Sequence, residues 1–151
     1  MPKISAGILL FRFKTIYPEI LLFHPGGPHW AKKDFGVWSI PKGELNETES
    51  PVKEAERELE EEAGIKIEGK LIELTPVKQK SNKIVWAWAL EQDFNPFDLK
   101  SNLFEMEWPP SSGQIKQFPE MDKAAWFTIE IAKEKILAGQ IPFIEELEKL
   151  I

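Results

Sequence analysis

Apolar runs and polar breaks alternate along this chain from its first residues. Residues 4–13 and 19–24 read as two strands joined by a turn over 14–18. Pro25-Gly26-Gly27-Pro28 stops the second strand, and a loop follows to about Gly36. The pattern next predicts a short strand over 38–40, a helix over Pro51–Ala63, and strands over 65–74 and 77–80. Ser81-Asn82 reads as a hairpin turn that returns the chain through Lys83–Glu91. There Val85, Ala87 and Ala89 alternate with Trp86 and Trp88, so both faces are apolar and the strand is expected to be central and covered on each side. Residues 104–108 and 124–127 follow as strands. Thr128 caps a helix to about Ala138, and Pro142 starts a last one. Strands dominate, with helices laid on a mixed sheet, so the class is α+β or an α/β sandwich.

The helix over Pro51–Ala63 departs from ordinary amphipathic patterning. Ser50 suits its N-cap, Pro51 its first position and Gly64 a left-handed C-cap. At ~100° per residue, Val52, Ala55, Leu59 and Ala63 make one narrow apolar stripe. Glu58, Glu61 and Glu62 share the face beside it, and Glu54 joins them one turn earlier. Like charges at this spacing cost ~0.2–0.5 kcal/mol per pair, and within the helix only Lys53 and Arg57 offer relief. A solvated charged surface is one reading. A divalent cation is the other, because hard oxygen ligands suit Mg²⁺ or Mn²⁺.

Composition narrows the choice. The 151 residues are expected to form one domain, 1–151, and a 42% hydrophobic fraction with six tryptophans suits a globular core. No apolar run is long enough to cross a membrane, and Arg12 and Lys14 interrupt the only N-terminal stretch resembling a leader. Zero cysteines exclude disulfides and thiolate metal sites and accord with a cytoplasmic location. A net charge of −6 argues against broad nucleic-acid binding but not against a small polyphosphate, whose charge a bound metal offsets.

The segment from Gly43 to Ile65 resembles the signature of the Nudix hydrolase (MutT-like) superfamily. The signature positions fall on Gly43, Glu49, Arg57, Glu58, Leu59, Glu61, Glu62, Gly64 and Ile65, and none departs. The order of elements along the whole chain resembles that family too. The resemblance implies an α/β/α sandwich around a mixed β-sheet. It also implies Mg²⁺- or Mn²⁺-dependent hydrolysis of a diphosphate linked to another moiety, here a nucleoside triphosphate or a dinucleoside polyphosphate. It puts metal ligands at Glu58, Glu61 and Glu62, with the Gly43 carbonyl beside them. Arg57 is expected to pair with Glu49; an i,i+4 pair with Glu61 is the alternative that helix geometry permits. A further metal carboxylate is expected from the segment ahead of Ala125-Trp126-Phe127, with Glu120 first, Asp122 second, and Glu105 and Glu107 as competitors.

Substrate clues come from two places. Lys42, in Pro41-Lys42-Gly43, stands where many relatives have glycine, and resembles variants that act on dinucleoside polyphosphates and diphosphoinositols. It is expected to contact a longer phosphate chain as a point charge. The stretch 25–34 is basic and aromatic, and resembles a bacterial subgroup of predicted nucleoside triphosphate pyrophosphohydrolases. Trp30 would stack on a base and Lys32 meet phosphate, although Trp30 serves equally as a core plug. His24 and His29 read as structural or substrate-facing rather than as catalytic bases. The partner is a small nucleotide, with no membrane or nucleic acid, and a homodimer is left open. The alternative from another class is a non-catalytic sensor module that binds a nucleotide; the complete set of signature carboxylates favours the enzyme.

Overall fold

The computed structural model describes residues 3–45 and 50–151. Nine strands and three α-helices lie in these residues. Strand β1 (Lys3–Phe13) runs beside β2 (Pro18–Pro25), and β3 is Lys42–Glu44. Helix α1 (Pro51–Ala63) precedes β4 (Leu71–Glu73), β5 (Val77–Gln79) and β6 (Lys83–Glu91). A hairpin of β7 (Leu103–Glu107) and β8 (Ile115–Pro119) leads to β9 (Met121–Thr128), and α2 (Ile129–Lys135) and α3 (Ile141–Leu150) finish the chain.

The principal sheet has the order β4-β6-β1-β2-β9, with β3 also on β1 and β5 also on β6. It is mixed: β1 and β6 run parallel through nine paired positions, and the other pairs are antiparallel. Strand β6 is central, as its two apolar faces require. Val85, Ala87 and Ala89 join one core with Leu9, Phe11, Phe143 and Leu147, which α2 and α3 cover. Trp88 and Leu90 join the other with Ile8, Leu10, Ala55 and Leu59, which α1 covers. The result is the expected three-layer sandwich.

Several elements differ from the sequence pattern, each for a local reason. Residues 38–40 form only single bridges, Ser39 to Phe23 and Trp38 to Ile136. The strand comes later, at Lys42–Glu44. Gly7 permits this, because a Cβ there would strike the Pro41 carbonyl. Of the expected strand 65–74 only Leu71–Glu73 pairs, because Ile65 is drawn back onto α1, its N–H donating to the Leu59 carbonyl. The hairpin turn before β6 is a 3-10 turn, Lys80–Asn82, with Asn82 at φ 60°. Strand β8 was not foreseen, since most of its residues are exposed.

Candidate active site

Helix α1 has the bounds its sequence predicts. Pro51 opens it, and Gly64 closes it at φ 71° with its N–H on the Glu60 carbonyl. Ser50 stands at the N-cap but its side chain makes no capping bond. Ala55, Leu59 and Ala63 are fully buried against the sheet. Burying that stripe fixes the helix's rotation and so decides which acids face which way.

Glu58 is turned onto β3. A Cβ on Gly43 would collide with the Glu58 carboxyl, so the absence of a side chain at 43 is what lets this acid lie against the strand. Glu62, one turn on, is half-buried and in hydrogen-bonding contact with the carboxyls of both Glu58 and Glu120. Burial first, and then these two acid neighbours, push the Glu62 carboxyl up to about 9. Three carboxyl groups from two distant parts of the chain therefore meet at one place, where the nearest guanidinium, Arg57, reaches only Glu58 and only at 3.5 Å. Among the described residues no three such side chains stand in a geometry that encloses an ion. The chemistry of the donor set nevertheless fits a hard divalent cation: oxygen donors crowded enough to retain a proton, and a glycine backbone open beside them.

The other acids of the helix are engaged differently. Arg57 reaches back to Glu54, with Nη2 2.6 Å from Oε2, and forward to Glu61, with Nη1 2.9 Å from Oε2. Glu54 is 1% exposed, so its neighbour at i+3 supplies a countercharge to a buried carboxylate. The i,i+4 pairing that helix geometry permits, Arg57 with Glu61, is present. Glu49 lies outside the described residues.

The acids offered from the later segment separate cleanly. Glu120 is the one that touches Glu62. Asp122 instead bonds the His24 ring, Oδ1 to Nδ1 at 2.8 Å. Glu107 accepts the Ser111 N–H at 2.8 Å and caps its own hairpin turn, while Glu105 faces Gln117 across β7 and β8.

Lys42 lies on the other face of β3 from Glu58. Its Cβ sits beside Gly7 and Ile40, on the α2–α3 side, whereas the Gly43 side meets Glu58. Burial and the nearby Lys83 hold its ammonium below the usual lysine range, partly offset by Glu62 and Glu44. Among the described residues that ammonium has no hydrogen-bond or ion-pair partner. Two residues earlier, the Ile40 N–H donates to Gln140 Oε1 at 3.1 Å, and the Gln140 amide nitrogen is buried without a partner among the described residues. Trp30 and Lys32 are on the exposed loop after β2, with Lys33 Nζ 5.0 Å from the Trp30 ring centroid. With Trp30 39% exposed, the core-plug alternative does not describe it. His29 meets Trp108 of the β7–β8 hairpin edge to face at 5.6 Å.

Sequence reasoning placed Glu54 on the acidic face but missed its pairing with Arg57, and it passed over Gln140 and the His24–Asp122 contact. Only Glu54 carried a local signal, its i,i+3 spacing to Arg57. The other two depend on residues about a hundred positions apart.

The family model described as the NUDIX domain matches residues 1–147. The chain belongs to the Nudix family. Family members are hydrolases acting on diphosphate bonds, and they generally use divalent cations. Nudix hydrolase 6 of Arabidopsis thaliana is 30% identical over 131 residues, which is 85% of this chain and 40% of that protein. The chain thus spans less than half the length of this curated relative. Among solved structures, a C. elegans Ap4A hydrolase binary complex aligns with TM-score 0.67 at 20% identity, covering 97% of this chain and 96% of that one. The NUDIX domain of Shewanella oneidensis NrtR complexed with ADP ribose aligns with TM-score 0.66 at 15% identity, over 100% of this chain and 90% of that one. These likenesses agree with the Nudix fold in its mixed sheet and flanking helices.

Proposed function

We propose that this Nudix protein is a Mg²⁺- or Mn²⁺-dependent pyrophosphohydrolase that cleaves a nucleoside triphosphate or dinucleoside polyphosphate. The observation that carries the reading is the meeting of Glu58, Glu62 and Glu120 beside Gly43. These residues, with the Gly43 carbonyl, would hold the cation, and Glu61, engaged by Arg57, would orient them from the side. The cation, when bound, supplies Lewis acidity toward phosphate oxygens and a more acidic water.

The chain's own residues do the rest. Arg57 holds Glu54 and Glu61, and so keeps the second turn of α1 straight beneath the site. A cluster carboxylate takes the proton of the attacking water, as general-base catalysis requires. Trp30, on its exposed loop, supplies a ring for a nucleobase, and Lys32 and Lys33 beside it supply positive charge for phosphate. Lys42 adds a half-buried cation that among the described residues makes no ion pair, which favours a substrate whose phosphates extend past the carboxylates.

Turnover of a nucleotide panel in Mg²⁺, with product analysis in ¹⁸O-water, tests this. Label in a released phosphate or nucleotide shows attack on phosphorus, and the product pair separates triphosphate from dinucleoside polyphosphate use. Binding of these nucleotides without any turnover would support the sensor reading instead.

A further inference from the structure

Glu120 is placed by a segment that a regular strand alone would not fix. It lies between the β8 end of a two-stranded hairpin and the start of β9, at the edge of the main sheet. Two backbone bonds and one to a side chain hold it there. The Gly26 N–H donates to the Glu120 carbonyl at 2.9 Å, the Glu120 N–H to the Asn102 carbonyl at 2.8 Å, and the Met121 N–H to Ser101 Oγ at 2.9 Å. A Cβ at Gly26 would strike the Pro119 carbonyl, so the glycine-rich loop and this segment are in direct backbone contact.

One side chain completes the join. His24 is 1% exposed, and its ring stands edge-on to Trp38 at 5.1 Å. Nε2 is 2.6 Å from the Lys33 carbonyl oxygen, which only accepts, so this nitrogen carries a proton and donates it. Nδ1 is 2.8 Å from Asp122, two residues after Glu120. An imidazole buried this deeply is stable there because both of its nitrogens are met. Those two partners belong to different functional pieces, the loop that carries Trp30 and the strand that carries Glu120. The far end of the loop is anchored independently: Asp34 accepts from Trp38 Nε1 at 2.9 Å and from Lys135.

We infer that His24 is a positioning residue, tying the loop of residues 26–36 to the strand that presents Glu120 and thereby setting the third carboxylate of the site. The inference rests on reading Glu120 as a metal ligand. His24 touches no reacting atom; it acts through Asp122 on one side and the Lys33 carbonyl on the other. The link also makes loop position and metal affinity one property, since neither partner can move without the ring.

Mn²⁺ binding to the full-length protein, followed by the electron paramagnetic resonance of free Mn²⁺, tests this without relying on turnover. Asp122 is exposed, so Asp122→Ala is expected to fold, which circular dichroism and a melting curve check directly. It should weaken Mn²⁺ binding about tenfold, in the range set by loss of an outer-shell partner. Asp122→Asn still bonds the imidazole and should return to within about threefold of wild type. A merely structural role would lower the melting temperature and leave the Mn²⁺ dissociation constant alone. Wild-type affinity in Asp122→Ala, alongside weakened Glu120→Gln, overturns the positioning role while the metal site stands. Wild-type affinity in both overturns the Glu120 assignment and the positioning role with it.

Discussion

Two sets of carboxylates share helix α1 and meet opposite fates. Glu54 and Glu61 are gathered by Arg57, which sits between them and holds both. Glu58 and Glu62, on the adjoining face, are gathered with Glu120; Arg57 reaches Glu58 only at 3.5 Å, and burial with two acid neighbours keeps the proton on Glu62 well above the usual carboxylate range. The first set behaves as structure: a buried acid with an arginine to answer it. The second crowds acids until one retains its proton, which a bound cation would relieve. Net acidity on a helix therefore says little; what separates a scaffold from a site is how closely the chain's own countercharge meets each acid.

The comparison breaks most visibly if the second set is dismantled. Glu58→Gln or Glu62→Gln should cut kcat by about a thousandfold or more in Mg²⁺, a loss of several kcal/mol of transition-state stabilisation. Near-wild-type turnover in both would leave the site without its ligands. Gly43→Ala attacks the same set from the backbone, since the new methyl occupies the place of the Glu58 carboxyl. Expected is a fall of about 10–100-fold in kcat/KM with the circular dichroism spectrum retained.

Removing the other set's cation tests the opposite half of the claim. Arg57→Ala should lower the melting temperature by more than Glu61→Gln does, because Glu54 is the buried member of the set. Turnover should fall by only about tenfold, through disturbance of the helix rather than loss of a ligand. A melting temperature equal to wild type would make Arg57 a solvated residue.

A finer contrast lies in pH. In metal-free protein Glu62 has a folded pKa of about 9 against an ordinary 4.5. Between these values the folded state holds a proton that the unfolded chain has released, so stability falls as pH rises through that window. Calorimetry of metal-free wild type should show this slope, and Glu62→Gln should flatten it and raise the melting temperature at pH 8. The smallest effect is expected at Lys42. Lys42→Gly should lower kcat/KM about tenfold on diadenosine tetraphosphate and less on ATP, as loss of one charge-assisted contact would. An equal loss on both substrates would remove the argument for a longer phosphate chain.

What the sequence disclosed, and what it hid, follows the same divide between local and distant. The bounds of α1 were readable because Pro51 and Gly64 act within one turn of themselves. The central place of β6 was readable because valine, alanine and tryptophan alternate within a single strand. Strand β3 was not, because Lys42-Gly43-Glu44 has no strand pattern of its own and pairs only where Gly7 and Gly43 let backbones and the Glu58 carboxyl close in. Strand β8 was missed because it lies mostly exposed in a two-stranded hairpin, so burial imposes little pattern on it. In the site, the shared face of Glu58 and Glu62 was legible from helical spacing. Glu120 was put first only by resemblance; what sets Asp122, Glu107 and Glu105 aside, their bonds to His24, Ser111 and Gln117, was not legible.

The central claim is that a divalent cation completes the second set of acids and not the first. Crystals soaked in Mn²⁺ and measured for anomalous scattering test it directly. The account predicts a peak about 2.0–2.3 Å from carboxylate oxygens of Glu58, Glu62 and Glu120, with the Gly43 carbonyl beside it. A peak confined to the Arg57, Glu54 and Glu61 side of the helix, or none at saturating Mn²⁺, would contradict it.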